Sequence, residues 1–196
     1  MIRPALSRVV EGMKTLFWIA VPALILVVTL AACASTGSYE TAPCKVVRSD
    51  GAFEVREYPA LKVAVTSRKG DDDSFMRLFR YIEGANEKKE KVSMTTPVFM
   101  EGGEMRFVVP EKNKANTPKP SSDKVEVREL PARTVATYRF SGWRSDALEK
   151  ESLEKLRAWM AANKLEAAGE PLYAYYNPPW TLGPLRRNEV LIPVKK

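Results

Sequence analysis

The sequence predicts an α+β domain made from two copies of one β-α-β-β unit. The first observation is a duplication. Phe53–Val65 reads FEVREYPALKVAV, and 72 positions later Val125–Thr137 reads VEVRELPARTVAT, with eight of the thirteen pairs identical. Pro59 and Pro131 occupy the same place in each copy. Self-similarity of this kind marks a repeated supersecondary unit. The second observation is a helix-period segment after each copy, and the third is a pair of extended stretches that closes each copy. A residue present in both copies is a poor candidate for a unique catalytic group.

Each element follows from local pattern. Phe53, Val55 and Glu57 alternate with Glu54, Arg56 and Tyr58, as a half-buried strand requires. Ser74–Glu83 places Phe75, Leu78, Phe79 and Ile82 at helical spacing, a stripe expected to face the core, with Met76 and Arg80 on the adjoining side. Asp71, Asp72 and Asp73 stand where a helix N-terminus favours negative charge. Pro-containing SMTTPVFM (93–100) and the strand MRFVVP (105–110) complete repeat one, about 46–110. EKNKANTPKPSSDK (111–124) has almost nothing apolar and reads as a solvated connector. Repeat two, 125–194, carries a longer helix over about Ser145–Asn163. Ser145 is its expected N-cap, and Leu148, Ser152, Leu156 and Trp159 form one row beside Leu153 and Met160. AYYNPPWT (174–181) and EVLIP (189–193) close it. A lone unit would leave a sheet face bare, so the copies are expected to pair within one domain, 46–196.

The chain contains no histidine. That removes Ser-His-Asp and Cys-His nucleophile activation, most zinc sites and imidazole ligation of haem iron. The Ser-x-x-Lys matches Ser121–Lys124 and Ser152–Lys155 lack the companion motifs of Ser/Lys enzymes, and no glycine-rich phosphate loop or calcium-loop spacing occurs. The expectation is a binding protein with no enzymatic activity and no metal site of its own. Acids and bases are interspersed and no aromatic-interleaved basic stripe is present, so no nucleic-acid partner is expected.

Residues 1–32 combine Arg3, Arg8 and Lys14 with the apolar run Leu16–Leu30, too short for a comfortable span, followed by Leu-Ala-Ala-Cys33. This resembles the signal peptide and lipobox of bacterial lipoproteins. The resemblance implies cleavage before Cys33, lipidation of that thiol, a polar tether over 33–45, and a membrane partner through the anchor. Ala34 after the cysteine favours the outer membrane, with the domain facing the periplasm. The true start is Met1 or Met13. Without residues 1–32 the formal charge falls from +7 to +5, since three bases and one acid leave. Cys44 is then the only free thiol and is expected to be a small buried hydrophobe.

Tyr81–Met100, MRFVVP and above all YYNPPWTLGPLRRNEVLI (175–192) are similar to the SOUL/haem-binding protein family, over about Val46–Val194. The resemblance implies a pseudo-two-fold twisted antiparallel β-barrel flanked by two helices. It also implies a hydrophobic cleft for haem or another tetrapyrrole, between the first helix and the loop before the last strand. Carried onto this chain, the ligand-binding candidates are Met76, Phe79 and Arg80 on the helix and Trp180 and Arg186 on the loop. An apolar thioether and ring suit a macrocycle and a guanidinium suits a propionate. Arg187 is expected to pair with Glu189 or Glu57 and Pro178–Pro179 to stiffen the loop. Met76, Met94, Tyr175 and Cys44 remain open as iron ligands. Two alternatives stand beside the tetrapyrrole: a different amphiphile or lipid in the same cleft, or an interaction protein whose cleft is unused.

Overall fold

The computed structural model describes residues 39–69 and 73–195. The predicted signal peptide, Cys33, Asp71 and Asp72 lie outside the described residues. Among the described residues no helix is long and apolar enough to cross a membrane.

In chain order the elements are β1 (Glu40–Thr41), β2 (Lys45–Asp50), β3 (Phe53–Tyr58), β4 (Leu61–Ser67) and α1 (Ser74–Ile82). Then come β5 (Thr95–Thr96), β6 (Val98–Glu101), β7 (Glu104–Val108) and the four-residue α2 (Glu111–Lys114). Repeat two supplies β8 (Glu126–Leu130), β9 (Arg133–Phe140), α3 (Asp146–Ala162), β10 (Leu172–Tyr175), a 3₁₀ turn at Gly183–Leu185 and β11 (Asn188–Pro193). Nine strands form one antiparallel sheet, curled into a half-barrel, in the order β2-β3-β9-β11-β10-β6-β7-β4-β8.

The duplication is visible in the register. The first long strand of each copy bends at its proline, giving β3 then β4 and, 72 positions on, β8 then β9. Arg56 faces Val135 across β3–β9, and the equivalent Arg128 faces Val63 across β8–β4. Exchanging the copies reverses the eight-strand order from β3 to β8 onto itself, so the pseudo-two-fold passes between β6 and β10, where Phe99 faces Ala174. Both faces of the sheet are covered. Alternate residues Leu61, Val63, Val65, Phe99, Val135, Leu172 and Leu191 pack on the inner face. The outer face packs on α1 through Ala64, Met105 and Phe107, and on α3 through Ala136, Val190 and Ile192.

Helix α3 forms as predicted: Ser145 accepts a hydrogen bond from the Leu148 amide at 3.3 Å, and Ser152, Leu156, Trp159 and Met160 are buried. Three expectations change. Residues ahead of Val46 take part in the packing: β1 pairs with β5, and Ala42 is buried in the inner core. Segment 111–124 is tied down, with Pro118 accepting from the Tyr81 hydroxyl at 2.8 Å and Lys119 from the Glu87 amide at 2.9 Å. Cys44 is exposed; it stands just before β2, an edge strand with a bulge between Val46 and Arg48.

Candidate functional site

Helix α1 has only nine residues, and two apolar arcs share them. Leu78, Tyr81 and Ile82 are buried against the sheet. Phe75, Met76 and Phe79 lie roughly a third of a turn away and remain 40 %, 42 % and 36 % exposed. Phe75 and Phe79 were expected to centre on the core. Tyr81 takes that side because its hydroxyl finds a partner in Pro118, which rotates the two phenylalanines outward. Their rings stack at 6.1 Å, and Phe75 meets Phe107 edge-on at 5.4 Å.

Opposite them runs the loop after β10. Between helix and loop lies an apolar cleft of about 480 Å³. Phe75, Met76 and Phe79 form one wall, Tyr176–Trp180 the other, and Met94, Val98, Met100 and Met105 the floor, with Tyr39 at the edge. Four thioethers in one cleft make its lining adaptable, since methionine repacks at little cost.

The loop is held rigidly. The Arg187 amide donates to Asn177 Oδ1 at 2.6 Å and the Thr181 amide to Pro178 O at 3.1 Å. Arg186 donates to Thr181 O at 2.8 Å and to Pro179 O, and its guanidinium lies 4.1 Å over the Trp143 ring. A Cβ on Gly183 would stand 2.8 Å from that ring, so glycine permits the close approach. Behind the loop sits a buried ion cluster. Glu189, 0 % exposed, receives Arg56 bidentately at 2.6 and 3.0 Å, Arg187 at 2.7 and 2.9 Å and the Tyr176 hydroxyl at 2.9 Å. Burial alone would raise the Glu189 carboxyl; the hydrogen bonds and charge of Arg56, with Arg187, override it and hold it below the usual carboxylate range. Tyr176 is pushed well up by burial and then by the Glu189 charge, so it stays a neutral donor.

Of the predicted site residues, Met76, Phe79 and Trp180 come together on the cleft. Arg80 stands on the outer flank of α1, its side chain 60 % exposed and paired with Asp73 at 3.1 Å. Arg186 braces the loop from behind. Arg187 pairs with Glu189 as expected, but Arg56, the larger partner, was not anticipated. Pro178 and Pro179 line the cleft as well as stiffening the loop. Of the open iron-ligand candidates, Met76 and Met94 line the cleft. Tyr175 does too, but its hydroxyl donates to Glu149 at 2.5 Å; Cys44 lies elsewhere, beside Pro43, Lys45 and Tyr58. Met100, Met105 and Tyr39 escaped the sequence reading. Alternation on β6 and β7 places both methionines on the helix-covered face, a signal that was available.

The family model of the SOUL heme-binding protein matches residues 39–193. The chain belongs to the SOUL heme-binding family. This SOUL chain is 30 % identical over 165 residues to human heme-binding protein 2, covering 74 % of this chain and 79 % of that one. It is 28 % identical over 177 residues to mouse heme-binding protein 1, with 79 % and 92 % covered. Among solved structures it is similar to the C-terminal domain of EcmrR, with a TM-score of 0.54 at 19 % identity, covering 74 % of this chain and 97 % of that domain. That likeness shows the fold alone. The curated relatives are named for binding. Among the described residues no group of three or more His, Cys, Asp or Glu side chains stands together as a metal centre.

Proposed function

We propose that this SOUL chain is an envelope-anchored lipoprotein that binds haem or another tetrapyrrole non-covalently in the α1–loop cleft, without histidine ligation and without catalysis. The observation that carries the reading is the cleft itself, in a family named for haem. Its volume falls within the roughly 300–1,000 Å³ of small-molecule sites, and its walls are almost wholly apolar. The Phe75–Phe79 stack and Trp180 offer flat surfaces for a macrocycle. Arg80, at the flank, exchanges its Asp73 contact for a propionate. The sequence holds no histidine, so affinity comes from shape and cationic edges; thioethers of the floor and wall are the side chains left to meet iron.

Titration with hemin should shift its Soret band. Metal-free protoporphyrin should bind within about tenfold of hemin, a difference near 1.4 kcal/mol. A hundredfold preference for the iron form overturns the ligation claim, and an unmoved Soret band overturns the tetrapyrrole. The methionine-rich lining favours one second reading, a different amphiphile or lipid, which solvent extraction and mass spectrometry of protein from envelopes would detect. Anchoring through Cys33, with outer-membrane residence, rests on the lipobox resemblance. Mass spectrometry should show a diacylglyceryl-modified peptide beginning at Cys33; an unmodified Cys33 within an uncut chain refutes it.

A further inference from the structure

The loop forming one wall of the cleft carries more apolar surface than the cleft uses. Trp180 is 79 % exposed, Leu185 72 % and Leu182 64 %, and Trp143 beneath them is 57 % exposed. Exposed apolar residues scattered singly are ordinary, but four on one loop and its supporting turn mark a contact surface. The loop does not fold them away. Hydrogen bonds from Gly142 to Gly183 O at 2.9 Å, from Asn188 to Gly142 O at 3.0 Å and from Arg186 to Thr181 O hold them outward.

Charge says what covers them. Asn177–Arg187 and Phe140–Ser145 contain Arg144, Arg186 and Arg187 and no acid. The carboxylates that pair with Arg144 and Arg187 have side chains only 15 % and 0 % exposed, against 39 % and 42 % for the arginines, so the exposed charge is mainly cationic even with Asp146 exposed at the start of α3. Tryptophan and leucine flanked by arginine suit the headgroup region of an anionic bilayer. Chain connectivity agrees. Tyr39 lines the cleft, and Cys33 is six residues upstream, a covalent leash of at most about 20 Å. The leash argument rests on the lipidation reading above; the loop's composition does not.

We propose that Trp180, Leu182 and Leu185 dock on the surface of an anionic phospholipid bilayer, with the half-exposed Arg144 meeting the headgroups. The cleft mouth then opens at the lipid, and an amphiphile passes between bilayer and cleft along Trp180 without crossing water.

The test uses the full chain in vesicles of phosphatidylcholine alone and of phosphatidylcholine mixed with phosphatidylglycerol. Hydrogen exchange is read on peptides covering 178–186, with α3 peptides as internal control. The loop should exchange at least about threefold more slowly in the anionic vesicles, with α3 unchanged. A Leu182→Ser/Leu185→Ser variant should lose this protection and keep its hemin titration, so a failure of docking is distinguishable from a failure of the ligand reading. Equal loop exchange in the two vesicle types overturns the proposal. So does protection that appears without lipid and grows with protein concentration, which assigns the patch to a second copy. The Cys33 peptide is scored in the same digest, separating a missing anchor from an idle loop.

Discussion

The two repeats differ most where their helices meet the sheet. The 17-residue α3 lies over β9 and β11 and seals the outer face with Leu156, Trp159 and Met160. The nine-residue α1 lies over β4 and β7 but leaves Met94, Val98 and Met100 only partly covered. The cleft is that uncovered ground. The longer helix thus covers more of its half of the sheet, and the shorter one leaves a cleft that the repeat-two loop walls from the other side. The inner-face ion pairs differ in the same sense. Arg56–Glu189 is nearly water-free, at 5 % and 0 % side-chain exposure, whereas its counterpart Arg128–Glu104 stands at 39 % and 25 %.

The sharpest test exploits those equivalent arginines. Arg56→Leu leaves Glu189 buried with part of its charge uncompensated and should cost about 3–5 kcal/mol in urea unfolding. Arg128→Leu should cost about 1 kcal/mol or less, because water takes over. Equal losses would mean that the halves are energetically alike. A second pair separates packing from binding. Leu156→Ala on α3 should lose about 2–5 kcal/mol of stability. Phe79→Ala on α1 should lose well under half of that yet weaken porphyrin binding by about tenfold, near 1.4 kcal/mol, by Soret titration. If Phe79→Ala destabilises as much as Leu156→Ala, α1 is core and the cleft assignment fails.

The smallest effect is in acid. Glu189 and Glu104 both titrate below the usual carboxylate range: burial opposes this, and the hydrogen bonds of their arginines prevail. A depressed folded value means that the unfolded chain, near about 4.3, takes up protons first. The stability these groups contribute is therefore whole above that value and lost as pH falls through the folded ones. Urea midpoints should drop more steeply below pH about 4 in the wild type than in Glu189→Gln, and Glu104→Gln should flatten the curve less. Parallel curves would show that Glu189 is not depressed.

Much of this was legible. The repeat, both helices and the Ser145 cap come from local pattern, and local pattern is what the backbone obeys there. The Arg187–Glu189 pair was legible because its members stand two apart at the start of β11. Arg56 was not, since it lies 133 residues from Glu189 and only the sheet order joins them. The orientation of α1 was misjudged because its apolar arc is too wide for spacing to choose the core side. That choice fell to the Tyr81–Pro118 hydrogen bond, a long-range contact. Arg186 looked like a ligand-facing cation from its neighbours in sequence, but the loop's curvature turns it inward to its own carbonyls.

A half-barrel has two open borders, and here neither invites polymerisation. β2 is fully exposed, but its bulge at Val46–Arg48 breaks the ladder, and Lys45, Arg48 and Asp50 stud it with charge. β8 does the same with Glu126, Arg128 and Glu129. Bulges and charges are how open sheets discourage strand-to-strand growth. Both borders of the described sheet thus carry features that work against edge-to-edge pairing between neighbouring copies.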